Sequence, residues 1–257
     1  VAGRARSAAA QLGLAALIGC SLWRIQFNAL DVIAGVGQLG WLLTKMIPPL
    51  TGGHLASFCE ALLETLAMAL LGAALASGAA FPLSLLGSRL VTPSNWVRLA
   101  VRRLFDLLRG IDTLIWALIF VSATGLGPFA GVMALAVSET GVLGKLFSDA
   151  LDDADLPVAS SVQASGANRL QILRFGILPQ SLPVMADQSL YYFESNVRSA
   201  TILGVVGAGG IGFDLADRIR VIEWQQVGFL ILLILAAVTV IDGVSSWVSR
   251  RLIHGKR

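Results

Sequence analysis

The sequence is poor in the residues from which metal sites and catalytic centres are usually built. It contains only two cysteines and two histidines in 257 residues, and charged residues make up 14% of the chain. His54 and His254 stand far apart in the sequence and have no companion ligands at metal-site spacing, so we expect no metal site and no catalytic residue. Hydrophobic residues make up 56% of the chain. This composition excludes a water-soluble globular domain.

Long apolar runs dominate what is present. A helix needs about 20 mostly apolar residues to cross a bilayer, and six stretches come near that length. They are about Ala8–Leu22, Leu62–Leu85, Ile111–Gly125, Pro128–Phe147, Pro183–Val206 and Val227–Val248. We therefore predict an all-α polytopic membrane protein of about six transmembrane helices. We expect one domain over residues 1–257, with its core at about 54–250.

The third stretch is short, so we expect its helix to begin near Val101. At this end Arg102 and Asp106 lie four residues apart, and Asp106 and Arg109 lie three apart. Both spacings predict ion pairs along one wet side of a helix.

Most of the basic residues fall in alternate connectors, which indicates the orientation. Cytoplasmic loops carry an excess of Lys and Arg, so we expect both termini in the cytoplasm. The net charge of +3 then reflects the excess of basic residues in the cytoplasmic loops. We therefore expect no nucleic-acid partner. The basic residues expected on the inner side are Arg4, Arg6, Arg89, Arg98, Arg102, Arg103, Arg109, Arg169, Arg174, Arg250, Arg251, Lys256 and Arg257.

One polar segment of about 151–182, LDDADLPVASSVQASGANRLQILRFGILPQSL, interrupts the apolar pattern on the predicted cytoplasmic side. Pro157 is suited to the first turn of a helix. Small residues surround Gly166, where another surface could pack closely. The residue before a proline is disfavoured in helices, so we expect Leu178-Pro179 to close the segment. The pattern predicts two short helices along the membrane face, joined at Gly166.

The fifth stretch is the most polar of the six. A charge at bilayer depth costs about 2.5–3.5 kcal/mol on insertion scales, so this helix should face protein or water. Glu194 and Arg198 lie four residues apart and are expected to pair. Two interpretations stay open. The pair only holds the helix against its neighbours, or Arg198 lines a water-filled passage. The residues of that passage would be Glu194, Asn196, Arg198, Ser199, Thr201 and Glu139 of the fourth stretch, unless Glu139 serves only a contact between helices.

Gly207-x-Gly209-x-x-Gly212 satisfies a dinucleotide-binding fingerprint, but the next apolar block is a membrane span and not the strand such a site requires. We expect Gly207, Gly209, Gly210 and Gly212 to let the helix unwind or to let helices approach closely. The phosphate loop of ATPases, Gly-x4-Gly-Lys-Ser/Thr, is missing from the sequence. We therefore expect no ATP hydrolysis by this chain alone.

The polar segment resembles the signature loop of ATP-binding-cassette (ABC) importer permeases. That motif reads Glu-Ala-Ala, three residues, Gly, nine residues, Ile, one residue, Leu-Pro. Gly166, Leu178 and Pro179 match it, whereas Ser160 stands at the Glu position and Gly176 at the Ile position. Further stretches resemble the phosphonate-type permeases, and the likeness runs from about Leu62 to Arg250. These stretches are Glu64-Thr65, Trp116–Val121, Gly125–Gly131, Gly144–Phe147, Phe193–Thr201 and Leu203–Gly212.

The resemblance implies a type I ABC importer fold in a bacterial inner membrane and a cargo of phosphonate, phosphite or a related phosphorus oxyanion. It implies a second, identical permease subunit, two ATPase subunits that bind ATP and Mg²⁺, and an extracytoplasmic solute-binding protein. This chain would hold no cofactor of its own. The residues expected to couple it to the ATPase are Ser160, Ala164, Ser165, Gly166, Ala167, Arg169, Leu178 and Pro179.

Three other interpretations stay open from the residues. An ABC permease for another small solute would share the same motifs. An ion-coupled secondary carrier usually shows repeat symmetry, and the sequence shows no repeat. A membrane-embedded enzyme would need a nucleophile and base or a set of metal ligands.

Overall fold

The computed structural model describes residues 2–26 and 29–254, and the regular elements within those ranges are helices. Lys256 and Arg257, two of the basic residues behind the predicted orientation, lie outside the described residues. The helices are α1 Ala2–Arg24, α2 Ala29–Lys45, α3 Leu55–Gly87, α4 Asn95–Gly110, α5 Thr113–Thr124, α6 Pro128–Asp152, α7 Leu156–Ala164, α8 Arg169–Ile172, α9 Leu178–Leu203, α10 Gly210–Arg220 and α11 Trp224–His254.

The predicted apolar stretches fall in helices, apart from Ile111, Asp112 and Gly125 at the ends of the third stretch. Among the described residues, α3, α6 and α11 are each long and apolar enough to cross a bilayer. The run from α8 through α9 meets the same criterion only together with α10, and the two parts are bent by 57° at the break between them. Two shorter apolar helices, Gly13–Arg24 and Thr113–Thr124, coincide with the first and third stretches.

The chain divides into two compact units, residues 1–47 and residues 48–257. The first unit contains α1 and α2. The second contains α3 to α11, and its centre is α6, which packs on α3, α4, α5 and α9. Leu135, Leu143 and Phe147 of α6 are almost completely buried. Small residues allow this packing: a Cβ on Gly72 of α3 would lie 2.7 Å from the Cβ of Leu135.

The expectation that one helix runs from near Val101 through the third stretch is wrong. α4 ends at Gly110, and Ile111 and Asp112 both have extended backbone. The side chain of Asp112 accepts a hydrogen bond of 2.8 Å from the amide of Leu114. This N-cap starts a separate helix, α5, because it satisfies one of the free amide groups at the helix start.

The charged side chains of α4 form most of their ion pairs with side chains of α6. Asp106 and Arg109 are 3.4 Å apart, as predicted. Arg102 does not contact Asp106 and instead reaches Asp149 at 3.1 Å and Asp152 at 3.0 Å. Asp106 also contacts Lys145 of α6 at 3.3 Å. The hydrogen bond from Lys145 holds the pKa of the Asp106 carboxyl below its usual range. The spacing within α4 missed these pairs because their partners lie about 40 to 50 residues further along the chain.

Candidate functional site

The polar segment forms two short helices that meet at a turn, as predicted. α7 ends at Ala164, and Gly166 in the turn has a φ of +84°, a backbone conformation that favours glycine. Asn168 then caps α8: its side chain accepts 2.9 Å from the amide of Gln171, and the Gln171 side chain accepts 2.8 Å from the amide of Asn168. This capping box fixes where the second helix begins.

The expectation that Leu178-Pro179 closes the segment is wrong. A π-helical turn, Leu173–Ile177, joins α8 to α9, and the chain stays helical through Leu178 (φ −57°, ψ −42°). The amide of Leu178 bonds to the carbonyl of Leu173, five residues back. This wider turn lets the chain pass Pro179 without leaving the helical region, because it makes room where the proline ring would otherwise clash with the carbonyl four residues back. The helix that begins at Arg169 in the polar segment therefore continues without interruption through α9.

Most of the predicted coupling residues are exposed, but Ala167 is half-buried and Leu178 packs against the buried cluster that contains Leu143 and Ile177. The hydroxyls of Ser160 and Ser165 bond within α7, to the carbonyls of Pro157 and Val162. Ser160 thus brings no acidic group to this surface. Two large apolar side chains of the same segment point outward: Leu170 is 75% exposed and Phe175 is 61% exposed. Ala164, Ala167 and Arg169 surround the turn between the two helices, and Pro179 lies in the first turn of α9. A partner could cover this surface.

Arg198 stands between two carboxylates. Its Nη1 lies 3.6 Å from Oε1 of Glu194 on α9, which confirms the predicted pair. It also lies 3.6 Å from Oδ1 of Asp242 on α11. Asp242 is not among the residues predicted from the sequence, although an acidic residue inside the last apolar stretch is itself a signal. About half of the Arg198 side chain is exposed.

Glu139 and Asn196 pair with each other across α6 and α9. Nδ2 of Asn196 donates a hydrogen bond of 2.7 Å to Oε2 of Glu139. Asn196 is 1% exposed and Glu139 is 7% exposed, so neither lines an open passage in this conformation. Of the other predicted passage residues, Thr201 bonds back to the carbonyl of Val197 at 3.0 Å, and Ser199 is half-buried.

More polar groups extend along α9 toward its beginning. The hydroxyl of Ser189 accepts a hydrogen bond of 3.0 Å from Ser77 of α3, and the hydroxyl of Ser249 on α11 donates to Asp187. A small cavity of about 190 Å³ opens between α9 and α11 beside these groups and reaches Glu194. Polar groups therefore recur along α9 from Asp187 to Arg198, on the faces that contact α3 and α11.

The glycine run both unwinds the helix and permits close contact. α9 passes into a second π-helical turn, Gly204–Ala208, and Gly207, Gly209 and Gly210 have positive φ. Gly209 has a φ of +81° and begins α10. A Cβ on Gly212 would overlap the carbonyl oxygen of Thr201, so α10 folds back directly onto the end of α9. An unwound turn and a close contact between helices therefore both occur at these glycines.

The chain matches a known protein family over most of its length. Residues 80–254 match the model of the family described as binding-protein-dependent transport system inner membrane component. The chain is 33% identical to the putative phosphite transport system permease protein HtxC of Stutzerimonas stutzeri, over 100% of this chain and 91% of that protein. It is 35% identical to the phosphite transport system permease protein PtxC of the same organism, over 85% of this chain and 79% of that protein.

Solved structures share the fold at low identity. An inward-facing structure of the MetNI methionine ABC transporter gives a TM-score of 0.65 at 20% identity, over 76% of this chain and 95% of that chain. A bacterial ABC transporter involved in the import of alginate gives 0.65 at 16% identity, over 94% and 96%. The predicted fold class, a type I ABC importer permease, is confirmed. The chain belongs to the family of binding-protein-dependent transport system inner membrane components, which are multi-pass membrane permease subunits and not enzymes themselves.

Proposed function

We propose that this chain is the transmembrane subunit of an ATP-driven importer for phosphite, phosphonate or a related phosphorus oxyanion. The observation that carries the proposal is the 33% identity to a putative phosphite transport permease over the whole chain. A second phosphite permease at 35% identity supports the same cargo class.

The importer would contain a second, identical copy of this chain, two separate ATPase subunits that bind ATP and Mg²⁺, and an extracytoplasmic solute-binding protein. The family description names binding-protein-dependent transport, which supports the last partner. A separate ATPase is supported by the sequence, which has no phosphate loop. We place both termini and the polar segment in the cytoplasm, because basic residues are concentrated in cytoplasmic connectors.

The polar segment would dock on the ATPase and transmit its movement. The exposed apolar side chains of Leu170 and Phe175 support this role, because burying them against a partner would stabilise the contact. The helix leads from Arg169 directly into α9, which carries Arg198. A shift of the ATPase would thereby move the helix that borders the proposed passage.

Arg198 would guide the oxyanion through that passage. A guanidinium group matches the geometry of phosphorus oxygens and binds them with two parallel hydrogen bonds. Glu194 and Asp242 on either side weaken its attraction for an anion. This balance suits transport, because a site that binds too tightly would retain its cargo.

Uptake in cells that express the whole transport system tests the cargo. Phosphite, methylphosphonate, hypophosphite and phosphate are supplied separately to cells that lack other routes for each, and intracellular phosphorus is measured. We expect saturable uptake of at least one of them, which stops when the ATPase subunit is omitted. Uptake of none of the four, with all subunits present in the membrane, would refute the proposed cargo.

A substitution at Gly166 tests the coupling role. Nothing lies within 4 Å of a Cβ built on this residue, so a Trp side chain would meet no neighbour in this chain but would obstruct a docked ATPase; the positive φ strains any side chain here, so the control must be a substitution at the same position. Gly166→Asn is the matched control, because asparagine tolerates positive φ and stays small. We expect the Trp variant to reach the membrane but to lose co-purification with the ATPase or the coupling of ATP hydrolysis to uptake. Equal coupling in the Trp and Asn variants would contradict the docking role.

A further inference from the structure

A cleft of about 500 Å³ separates the polar segment from the loop that joins α3 to α4. One wall is formed by residues of that loop, including Arg89 and Pro93. The opposite wall is formed by α7, α8 and the turn that follows, including Ser160 and Arg169. Its volume lies within the range of about 300–1,000 Å³ that is usual for small-molecule sites.

The charged residues that line the cleft are all positive. Arg89 and Arg169 line it, together with the neutral polar side chains of Ser160 and Gln163, and its lining includes no acidic residue. Arg169 forms no ion pair with the part of the chain that the structure describes. Arg89 contacts one acidic residue, Asp152, through Nε at 3.4 Å. Within that same part of the chain its two terminal nitrogens have no hydrogen-bond partner.

The wall that carries Arg89 is held in place by Asp152 at the end of α6. The Asp152 carboxylate is 6% exposed. It accepts hydrogen bonds of 2.6 Å from the Ser88 hydroxyl and 2.6 Å from the Arg89 amide, and it pairs with Arg102 at 3.0 Å. The backbone beneath Arg89 is therefore fixed before any ligand arrives, which reduces the entropy that binding has to overcome.

The rest of the lining is mostly apolar, with Leu90, Leu170 and Leu173 among its residues. Two arginines in the lining of an otherwise neutral, partly apolar cleft suit a phosphate group, because guanidinium binds phosphate oxygens in pairs. We propose that the cleft binds a phosphate group, either free inorganic phosphate or the headgroup of an anionic phospholipid. The bound phosphate bridges Arg89 on the α3–α4 loop and Arg169 on the polar segment.

This bridge ties the polar segment to the body of the permease. A bound phosphate therefore resists movement of α7 and α8 relative to α3 and slows ATP hydrolysis in the complex. The effect on hydrolysis rests on the proposed function, because it requires that the polar segment couple to an ATPase. The binding itself does not depend on any transport activity.

Binding is tested with the complete complex of permease and ATPase subunits in nanodiscs. In the first arm the discs contain only phosphatidylcholine, and inorganic phosphate is titrated by calorimetry. In the second arm the discs contain phosphatidylglycerol in phosphate-free buffer, and retained lipid is measured by native mass spectrometry. Arg89→Gln, Arg169→Gln and the double variant are compared with Arg174→Gln, which removes one charge from the same segment outside the cleft.

We expect each single variant to weaken binding of the ligand at least tenfold and the double variant at least a hundredfold, because each substitution removes a charged hydrogen-bond donor. Arg174→Gln should leave affinity unchanged. Phosphate binding that responds in this way identifies free phosphate as the ligand, whereas lipid retention that responds in this way identifies the headgroup. Phosphate bound instead in the passage would not respond to Arg89 or Arg169.

A measurement on the unmodified protein tests the proposal even if the variants fail to assemble. Phenylglyoxal modifies accessible arginines, and peptide mass spectrometry reports the extent at each position. We expect the true ligand to protect Arg89 and Arg169 at least severalfold while leaving Arg174 unprotected. The proposal is overturned if neither ligand protects these two arginines, or if the double variant assembles and binds both ligands as well as the unmodified complex does.

Discussion

Removing the hydrogen bond between Asn196 and Glu139 distinguishes a packing role from a role in the passage. The two groups meet at 2.7 Å in a nearly closed environment, with residue exposures of 1% and 7%. Each single change, Asn196→Leu or Glu139→Leu, leaves one buried polar group without its partner, which costs about 1–3 kcal/mol. The double Leu variant removes both groups, so its loss of stability should be smaller than the sum of the two single losses.

The expected coupling energy is about 1–2 kcal/mol. Hydrogen bonds between transmembrane helices average about 0.6 kcal/mol in double-mutant cycles and reach about 1.7. This pair belongs near the upper end, because it is short, buried and includes a carboxyl group. The assay is unfolding of the purified complex in mixed micelles by increasing detergent denaturant. Glu139→Gln is the matched control, since its carbonyl oxygen still accepts from Asn196 and its stability loss should be the smallest.

Uptake by the same variants then decides the role. If the pair only joins α6 to α9, the double Leu variant should transport in proportion to the amount of folded protein. If the pair contacts cargo in another state of the cycle, uptake falls even where the protein is folded. A coupling energy below about 0.3 kcal/mol, the usual error of additivity, would refute the inference that these side chains stabilise each other.

Three further substitutions test the contacts described above. Gly212→Ala should destabilise the permease by about 1–3 kcal/mol, because its Cβ would overlap backbone, whereas Gly78→Ala, with open space around it, should be neutral or slightly stabilising in the same unfolding assay. Arg198→Ala should lower oxyanion uptake at least tenfold at equal protein level, and unchanged uptake would remove Arg198 from the passage. Asp152→Ala should cost about 1–3 kcal/mol, because the Ser88 hydroxyl and the Arg89 amide lose their acceptor while Arg102 keeps Asp149; a loss below 1 kcal/mol by thermal unfolding would contradict the role of Asp152 in holding the α3–α4 loop.

The sequence predicted the features that depend on neighbouring residues. Apolar runs located the membrane-length helices, and the small residues around Gly166 located the joint between α7 and α8. The glycines after Leu203 indicated both the unwinding and the close contact. The spacing of Glu194 and Arg198 predicted their pair. In each case the physical cause lies within a few residues along the chain.

The features that the sequence did not reveal depend on distant residues or on balanced local preferences. Asn196 and Glu139 are 57 positions apart, and nothing local to either indicates the other. Asp242 joins Arg198 only because α11 packs on α9. The helix passes Leu178-Pro179 because one wide turn compensates for a preference that usually ends a helix, and no simple pattern predicts such a turn.

The unbroken helix from Arg169 to Leu203 can convert a small rotation at one end into a large displacement at the other. Its 35 residues extend over about 50 Å at 1.5 Å per residue. If one end were held, a tilt of about 10° would displace the other end by about 9 Å, far more than the diameter of a small anion. A modest rotation at the end near Arg169 would therefore be enough to open or close a gap at the other end, and stiffness of the π-helical turn at Leu173–Ile177 would set how much of that rotation is delivered.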